Sequence, residues 1–279
     1  MSSSEIKQDL IIDFGLHKGE DTEYYLRKGF RVAAIEADPT LARAARRRFS
    51  KEIEIGRLHI FEGAIAEGSG TTSFYQNEIS VWGTIFESRA EQNRKKRSGA
   101  DSTIIEVPIL DIDAIFKITG IPHYLKLDIE GGEYVVLNAL LEFSSVPNYI
   151  SVESEKISFN KLLSELKILK ALGYNRFKAV QQASIPGLVL STTDLAGREL
   201  IYKFELHSSG PFGKDLSGRW LTYFEVCLRY LWIFFLYRLF GDNGLLFKIK
   251  GGRRLHSILI RVTGRIFPGW YDTHAMRSG

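Results

Sequence analysis

Three groups of residues in this chain have the types and spacing to handle a charged, nucleoside-bearing ligand. The first is Asp13-Phe14-Gly15-Leu16-His17-Lys18-Gly19, where an apolar run stops at a glycine. The second is Glu36, which closes the next apolar run, Arg31 to Glu36. The third is Leu125-Lys126-Leu127-Asp128-Ile129-Glu130, three charged side chains alternating with three aliphatic ones. Parallel α/β sheets bind ligands at the carboxyl ends of their strands. A glycine turn there lets the backbone approach closely, and an acid ending the second strand accepts both ribose hydroxyls. This describes a site for an adenosine-containing cofactor. The spacing Gly15-x-x-x-Gly19 lacks the central glycine of the dinucleotide fingerprint, and Asp13 and Glu20 would repel a pyrophosphate. The same carboxylates suit the ammonium and sulfonium of S-adenosylmethionine.

Methyl transfer from a sulfonium is an in-line displacement that also has to remove a proton from the acceptor. Alternation along a strand puts Lys126, Asp128 and Glu130 on one face at its carboxyl end. Asp128 or Glu130 then serves as base or substrate clamp, with Lys126 steering its ionisation; the alternative is a structural Lys126–Asp128 pair. His17, inside the turn, and Glu153, ending a later strand, are further candidates on the acceptor side. His274 is a weaker one. Trp82 and Thr84 are placed to close over the cofactor or to pack in a core. Glu133 reads as a first-turn acid that complements a helix dipole. Asp128, Glu130 and Glu153 are hard oxygen ligands suited to Mg²⁺, but no metal signature is present, so a metal is left unassigned.

The elements that would carry these residues alternate. Leu10–Phe14, Arg31–Glu36, Leu58–Ile65, Ile104–Ile109, Tyr124–Ile129, Tyr149–Glu153, Tyr174–Val180 and Glu199–Leu206 read as strands. Helices are expected over Glu20–Lys28, from Asp38-Pro39 (N-cap and first position), from Asp111, and over Glu133–Phe143 and Phe159–Leu172. The fold class is therefore α/β, a Rossmann-like, doubly wound and mostly parallel sheet. Residues 68–103 are polar and read as an excursion above the sheet. The expected domains are 1–207, holding the cofactor, and 208–279, an appendage with an aromatic helix (Trp220–Phe240) and a basic tail.

The motifs Asp13-x-Gly15-x-His17-x-Gly19-x-Asp21-Thr22, Ile35-Glu36-Ala37-Asp38-Pro39 and Lys126-Leu127-Asp128-Ile129-Glu130-Gly131-Gly132-Glu133 resemble those of FkbM-type methyltransferases. The resemblance covers about residues 10–155, with looser similarity at Ser208–Trp220 and Gly269–Ala275. It implies a class I methyltransferase using S-adenosylmethionine, usually on a hydroxyl oxygen. Carried over, Asp13, Gly15 and Gly19 would line the methionine part, Glu36 the ribose, and Gly63 and Ala64 would lie near adenine. His17, Asp21, Thr22, Ala37 and Asp128 complete the expected cofactor-binding residues. The implied acceptor is a glycan, glycolipid or secondary metabolite, which the residues themselves do not specify.

Composition narrows the alternatives. With 44% hydrophobic and 25% charged residues among 279, the chain is not a disordered polymer. Cys227 is the only cysteine, which excludes a disulfide framework and favours a reducing compartment. Residues 1–10 lack the apolar core of a signal peptide, and Glu225, Arg229 and Arg238 interrupt the most apolar stretch. The expectation is a cytoplasmic protein with at most peripheral membrane contact. The net charge is +4, but residues 245–279 hold seven basic residues against Asp272 alone, leaving residues 1–244 at −2. That placement argues against a nucleic-acid-binding core, despite Arg43-x-x-Arg46-Arg47-Arg48 and Arg94-Lys95-Lys96-Arg97. It favours an anionic membrane or acidic substrate as partner of residues 220–279. The rival classes are an RNA methyltransferase and a non-catalytic protein docking through the aromatic helix.

Overall fold

Local sequence dictates most of the early elements. In the computed structural model, which describes residues 5–79, 82–96, 102–129, 131–240, 244–245, 252, 254, 258, 260–261 and 269–278, β1 is Ile6–Phe14 and β2 is Arg31–Glu36. They enclose α1, Glu20–Arg27, acidic in its first turn and ended by Gly29 with φ of 94°. Asp38 caps α2, Pro39–Arg48, through Oδ1, which accepts from the Thr40 and Leu41 amides. After α3 (Ser50–Glu54) comes β3, Leu58–Glu62. Asp111 caps α5, Ile112–Thr119; β6 is Ile121–Leu127, α6 Glu133–Leu140 and β7 Tyr149–Glu153. The helix between β4 and β5, defined below, is α4, Glu87–Lys96.

The main sheet has seven strands in the order β3-β2-β1-β6-β7-β11-β8, where β8 is Arg176–Gln181 and β11 Tyr271–Met276. The first five are parallel, with Asp13 opposite both Ala34 and Lys126. β11 runs antiparallel to β8. The reversal of strand order around β1 and β6 sets the carboxyl ends of β1, β2 and β6 side by side, where such folds bind ligands. Strands buried on both faces need continuous apolar runs, and Leu10, Ile11, Ile12 and Phe14 of β1 supply one.

Three expectations are corrected here. Ser102–Pro108 (β5) does not join the main sheet; it pairs antiparallel with Thr71–Asn77 (β4) in a separate two-stranded sheet. Its aliphatic run looks like a core strand, yet only Val107 is buried. Glu199–Lys203 (β10) likewise pairs with Val189–Thr193 (β9) in a hairpin of its own. Its tyrosine is buried while Glu199, Ile201 and Lys203 alternate outward. The main-sheet strand missing from that reading is β11, whose Asp272 and His274 are poor strand formers but, like Thr273 between them, are buried.

Two compact units result, residues 1–152 with 189–203 and residues 153–188 with 204–279. In the second, α7 (Phe159–Ala171) and α8 (Tyr223–Phe240) pack together and α8 packs on β8. Hydroxyls of Ser154, Tyr230 and Thr273 form a buried triangle with sides of 2.7, 2.7 and 2.8 Å. No helix among the described residues is long and apolar enough to cross a membrane.

Candidate active site

The turn after β1 is held against the sheet by its backbone. The amides of Gly15 and Leu16 both donate to the Ile35 carbonyl, at 3.1 and 3.0 Å. Gly15 has φ of 95°, and a Cβ there would lie 1.9 Å from the Asp128 carbonyl oxygen, so only glycine fits. Gly19, with φ of 86°, begins α1, and a Cβ would strike the Phe49 ring at 2.3 Å. His17, between them, is left-handed at φ of 52° without being glycine. It is tied at both ends: its amide donates to Glu36 Oε2 at 2.7 Å and its Nδ1 lies 3.0 Å from Glu20 Oε1. A strained conformation held this firmly marks a built site.

Glu36 ends β2 and is buried. Its second oxygen accepts from the Asp38 amide at 2.9 Å. Burial pushes its pKa up to about 7, against the two amides that favour the charged form. Asp38 is in turn fixed by Gln76 Nε2, at 2.9 and 2.8 Å from its two oxygens. Thus β4, part of the polar excursion, braces the end of β2. Sequence gave no sign of this contact, whereas the His17–Glu20 pair was within reach from its spacing alone.

Beneath the turn sits a charge cluster. Lys126 is 4% exposed, and its Nζ lies 3.2 Å from Asp21, 3.3 Å from Asp13 and 3.7 Å from Asp128 carboxylate oxygens. It also donates to the Gly15 carbonyl at 3.3 Å. Burial alone would lower the Lys126 pKa; Asp13, Asp21 and Asp128 outweigh it and hold it well above the usual lysine range. Asp13 has no exposed surface and accepts from the Thr22 hydroxyl at 2.8 Å. Burial raises its pKa to about 6, against the pull of Lys126. Only Asp128 reaches outward, its side chain 38% exposed.

Of the three charged residues expected on one face, Lys126 and Asp128 do meet, at 3.7 Å. β6 ends at Leu127, Lys126 points into the protein and Asp128 lies just past the strand, its amide donating to the Phe14 carbonyl. Glu130 lies outside the described residues. Glu133, first residue of α6, accepts from the Ile129 and Gly131 amides of the loop before its helix. Gly63, at φ of 153°, would clash with the Pro108 carbonyl if it bore a Cβ, and Ala64 and Ala37 pack against Phe74 and Val107. Thr84 is buried, with its backbone paired to Tyr75; Trp82 is half-buried. Glu153 and His274 belong to the second unit, Glu153 paired with Lys156. Among the described residues, no three His, Cys, Asp or Glu side chains are grouped to hold a metal ion.

The family model described as the methyltransferase FkbM domain matches residues 13–176. Among solved structures, the precorrin-6Y C5,15-methyltransferase of Geobacter metallireducens GS-15 is 12% identical, over 71% of this chain and 77% of that one, with a TM-score of 0.35. The SAM-dependent O-methyltransferase of Thermotoga maritima is 15% identical, over 73% and 57%, with a TM-score of 0.34. No curated protein matches the chain.

Proposed function

We propose that this chain, which belongs to the FkbM methyltransferase family, moves the methyl group of S-adenosylmethionine to a hydroxyl oxygen of a glycan, glycolipid or secondary metabolite. Dependence on S-adenosylmethionine goes with the family; the oxygen acceptor and its class are our reading. One observation carries the cofactor side. Three carboxylates, Asp13, Asp21 and Asp128, surround the single ammonium of Lys126, leaving an excess of negative charge beside the Gly15 turn. A pyrophosphate is repelled there, while a sulfonium and an ammonium are attracted.

The residues fit that cofactor. Gly15 and Gly19 give a backbone that a ligand can approach closely. Each Glu36 oxygen accepts one amide and keeps a lone pair for a ribose hydroxyl. Gly63, Ala64 and Ala37 offer a small, apolar floor for adenine. When bound, the cofactor supplies an electrophilic methyl. Asp13 is fully buried, so it works through Thr22 and Lys126, fixing the turn. Asp128, partly exposed and 3.7 Å from the Lys126 ammonium, accepts the acceptor's hydroxyl proton. His17, within the turn, is assigned to holding the acceptor.

Calorimetric titration with S-adenosylhomocysteine tests the first half, and absence of binding by folded protein overturns it. Asp128→Asn should bind S-adenosylhomocysteine normally and lose about 100-fold or more in turnover. Near-normal turnover removes Asp128 from the chemistry. Label released as methanol by mild alkali identifies an ester and refutes hydroxyl transfer, and label located on carbon or nitrogen by NMR of the product refutes it too.

A further inference from the structure

Helix α8 is apolar on two opposite sides. Val226, Tyr230 and Ile233 are buried, as a helix packed on a sheet requires. At helical spacing on the other side stand Phe224, Leu228, Leu231, Trp232 and Phe235, between 49% and 69% exposed. Five large apolar side chains in one stripe exceed the scattered exposure normal for a folded protein. The stripe borders a groove of about 860 Å³ walled by Ile157, Phe159, Leu228, Trp232 and Phe235. Ile157, 80% exposed, extends the apolar surface beyond the helix.

Cations stand along the rim of this face. Arg238 and Lys156, the latter paired with Glu153, line the groove, and Arg229 is exposed one turn from Trp232. Following α8, residues 244–271 contain Lys248, Lys250, Arg253, Arg254, Arg261 and Arg265 and no acidic residue. Tryptophan and phenylalanine between cations match the headgroup boundary of a bilayer, where rings enter the acyl edge and cations meet lipid phosphates. A second copy fits less well, since self-association would bring like-charged rims together.

We infer that the outer face of α8, with Ile157 and the cations Lys156, Arg229 and Arg238, docks the protein on an anionic lipid surface. Contact is peripheral: the helix lies along the interface and does not cross it. This rests on the geometry of α8 and not on the choice of methyl acceptor, so either reading can fail alone.

The test uses the full chain, because truncation after Asn243 would delete β11 from the sheet. Sedimentation with phosphatidylcholine vesicles is compared with phosphatidylcholine–phosphatidylglycerol vesicles. The expected result is about tenfold or more enrichment on the anionic vesicles, reduced by salt. The triple variant Leu228→Gln, Trp232→Gln, Phe235→Gln should lose it, as should Lys156→Glu with Arg238→Glu. Both alter exposed side chains, and unchanged S-adenosylhomocysteine binding and melting would show that they fold. Absence of binding by wild type, equal binding to neutral vesicles, or full binding by the triple variant overturns the proposal. A wild-type dimer that the triple variant converts to monomer overturns it too, assigning the face to a second copy.

Discussion

Two buried lysines show two ways of keeping a cation out of water. Lys126 on β6 is ringed by Asp13, Asp21 and Asp128. Lys178 on β8 meets no carboxylate in an ion pair among the described residues; it donates to the carbonyls of Leu216 and Ser217, at 2.7 and 3.0 Å, and lies over the Trp220 ring at 4.7 Å. The first lysine is pulled well above its ordinary pKa, while burial lowers the second. Neutral acceptors suffice to seat an ammonium in a framework. Three acids around one lysine exceed what its own charge requires, and that surplus is what the proposed binding of a sulfonium would draw on. That difference, more than burial itself, separates a site from a scaffold.

The sharpest way to break this comparison is to delete each ammonium. Lys126→Met leaves three carboxylates uncompensated and should cost about 3–5 kcal/mol of stability in urea unfolding. Lys178→Met strands two carbonyls and should cost about 1–3 kcal/mol. Equal losses would erase the distinction.

Acid titration is the next lever. Glu36 binds a ribose best as the carboxylate, and burial raises its pKa to about 7. Affinity for S-adenosylhomocysteine should therefore weaken severalfold as pH falls through 7, and Glu36→Gln should abolish that dependence. The stability effect has the opposite direction. A carboxyl with a raised folded pKa stabilises the fold below its unfolded value and loses that contribution as pH rises through the folded one, so the ligand-free site is relieved by acid.

A further effect belongs to the second unit. Burial, with Lys178 nearby, lowers the His274 pKa to about 3, and its Nε2 has no hydrogen-bond partner among the described residues. Its contribution is present above 6.5 and is lost as pH falls toward 3. His274→Gln should flatten the acid limb of the melting temperature while leaving cofactor binding unchanged. A loss of binding would move His274 out of the scaffold.

What the sequence made legible was local. The glycines at 15 and 19, the acid at 36 and the Asp38-Pro39 cap each follow from a few neighbouring residues. Of the partners of Lys126, Asp128 stood two residues along, but Asp13 is 113 residues away, and register alone sets Lys126 beside it. Alternation correctly separated the charged from the aliphatic side chains of 125–129 but could not say which side faced the interior. β5 and β10 have the composition of strands, and composition does not name the sheet a strand joins. β11 was hidden because burial, not propensity, makes it a strand.

The position of β11 also sets an order of events in synthesis. Ser154 bonds Thr273 across 119 residues, and β8 meets its partner only when 271–276 have been made. Until then β8 presents an unpaired edge and α8 an apolar stripe to the cell. Such long-range closure is slow and prone to aggregation. A nascent chain of this protein should therefore be a chaperone client until its final strand clears the ribosome.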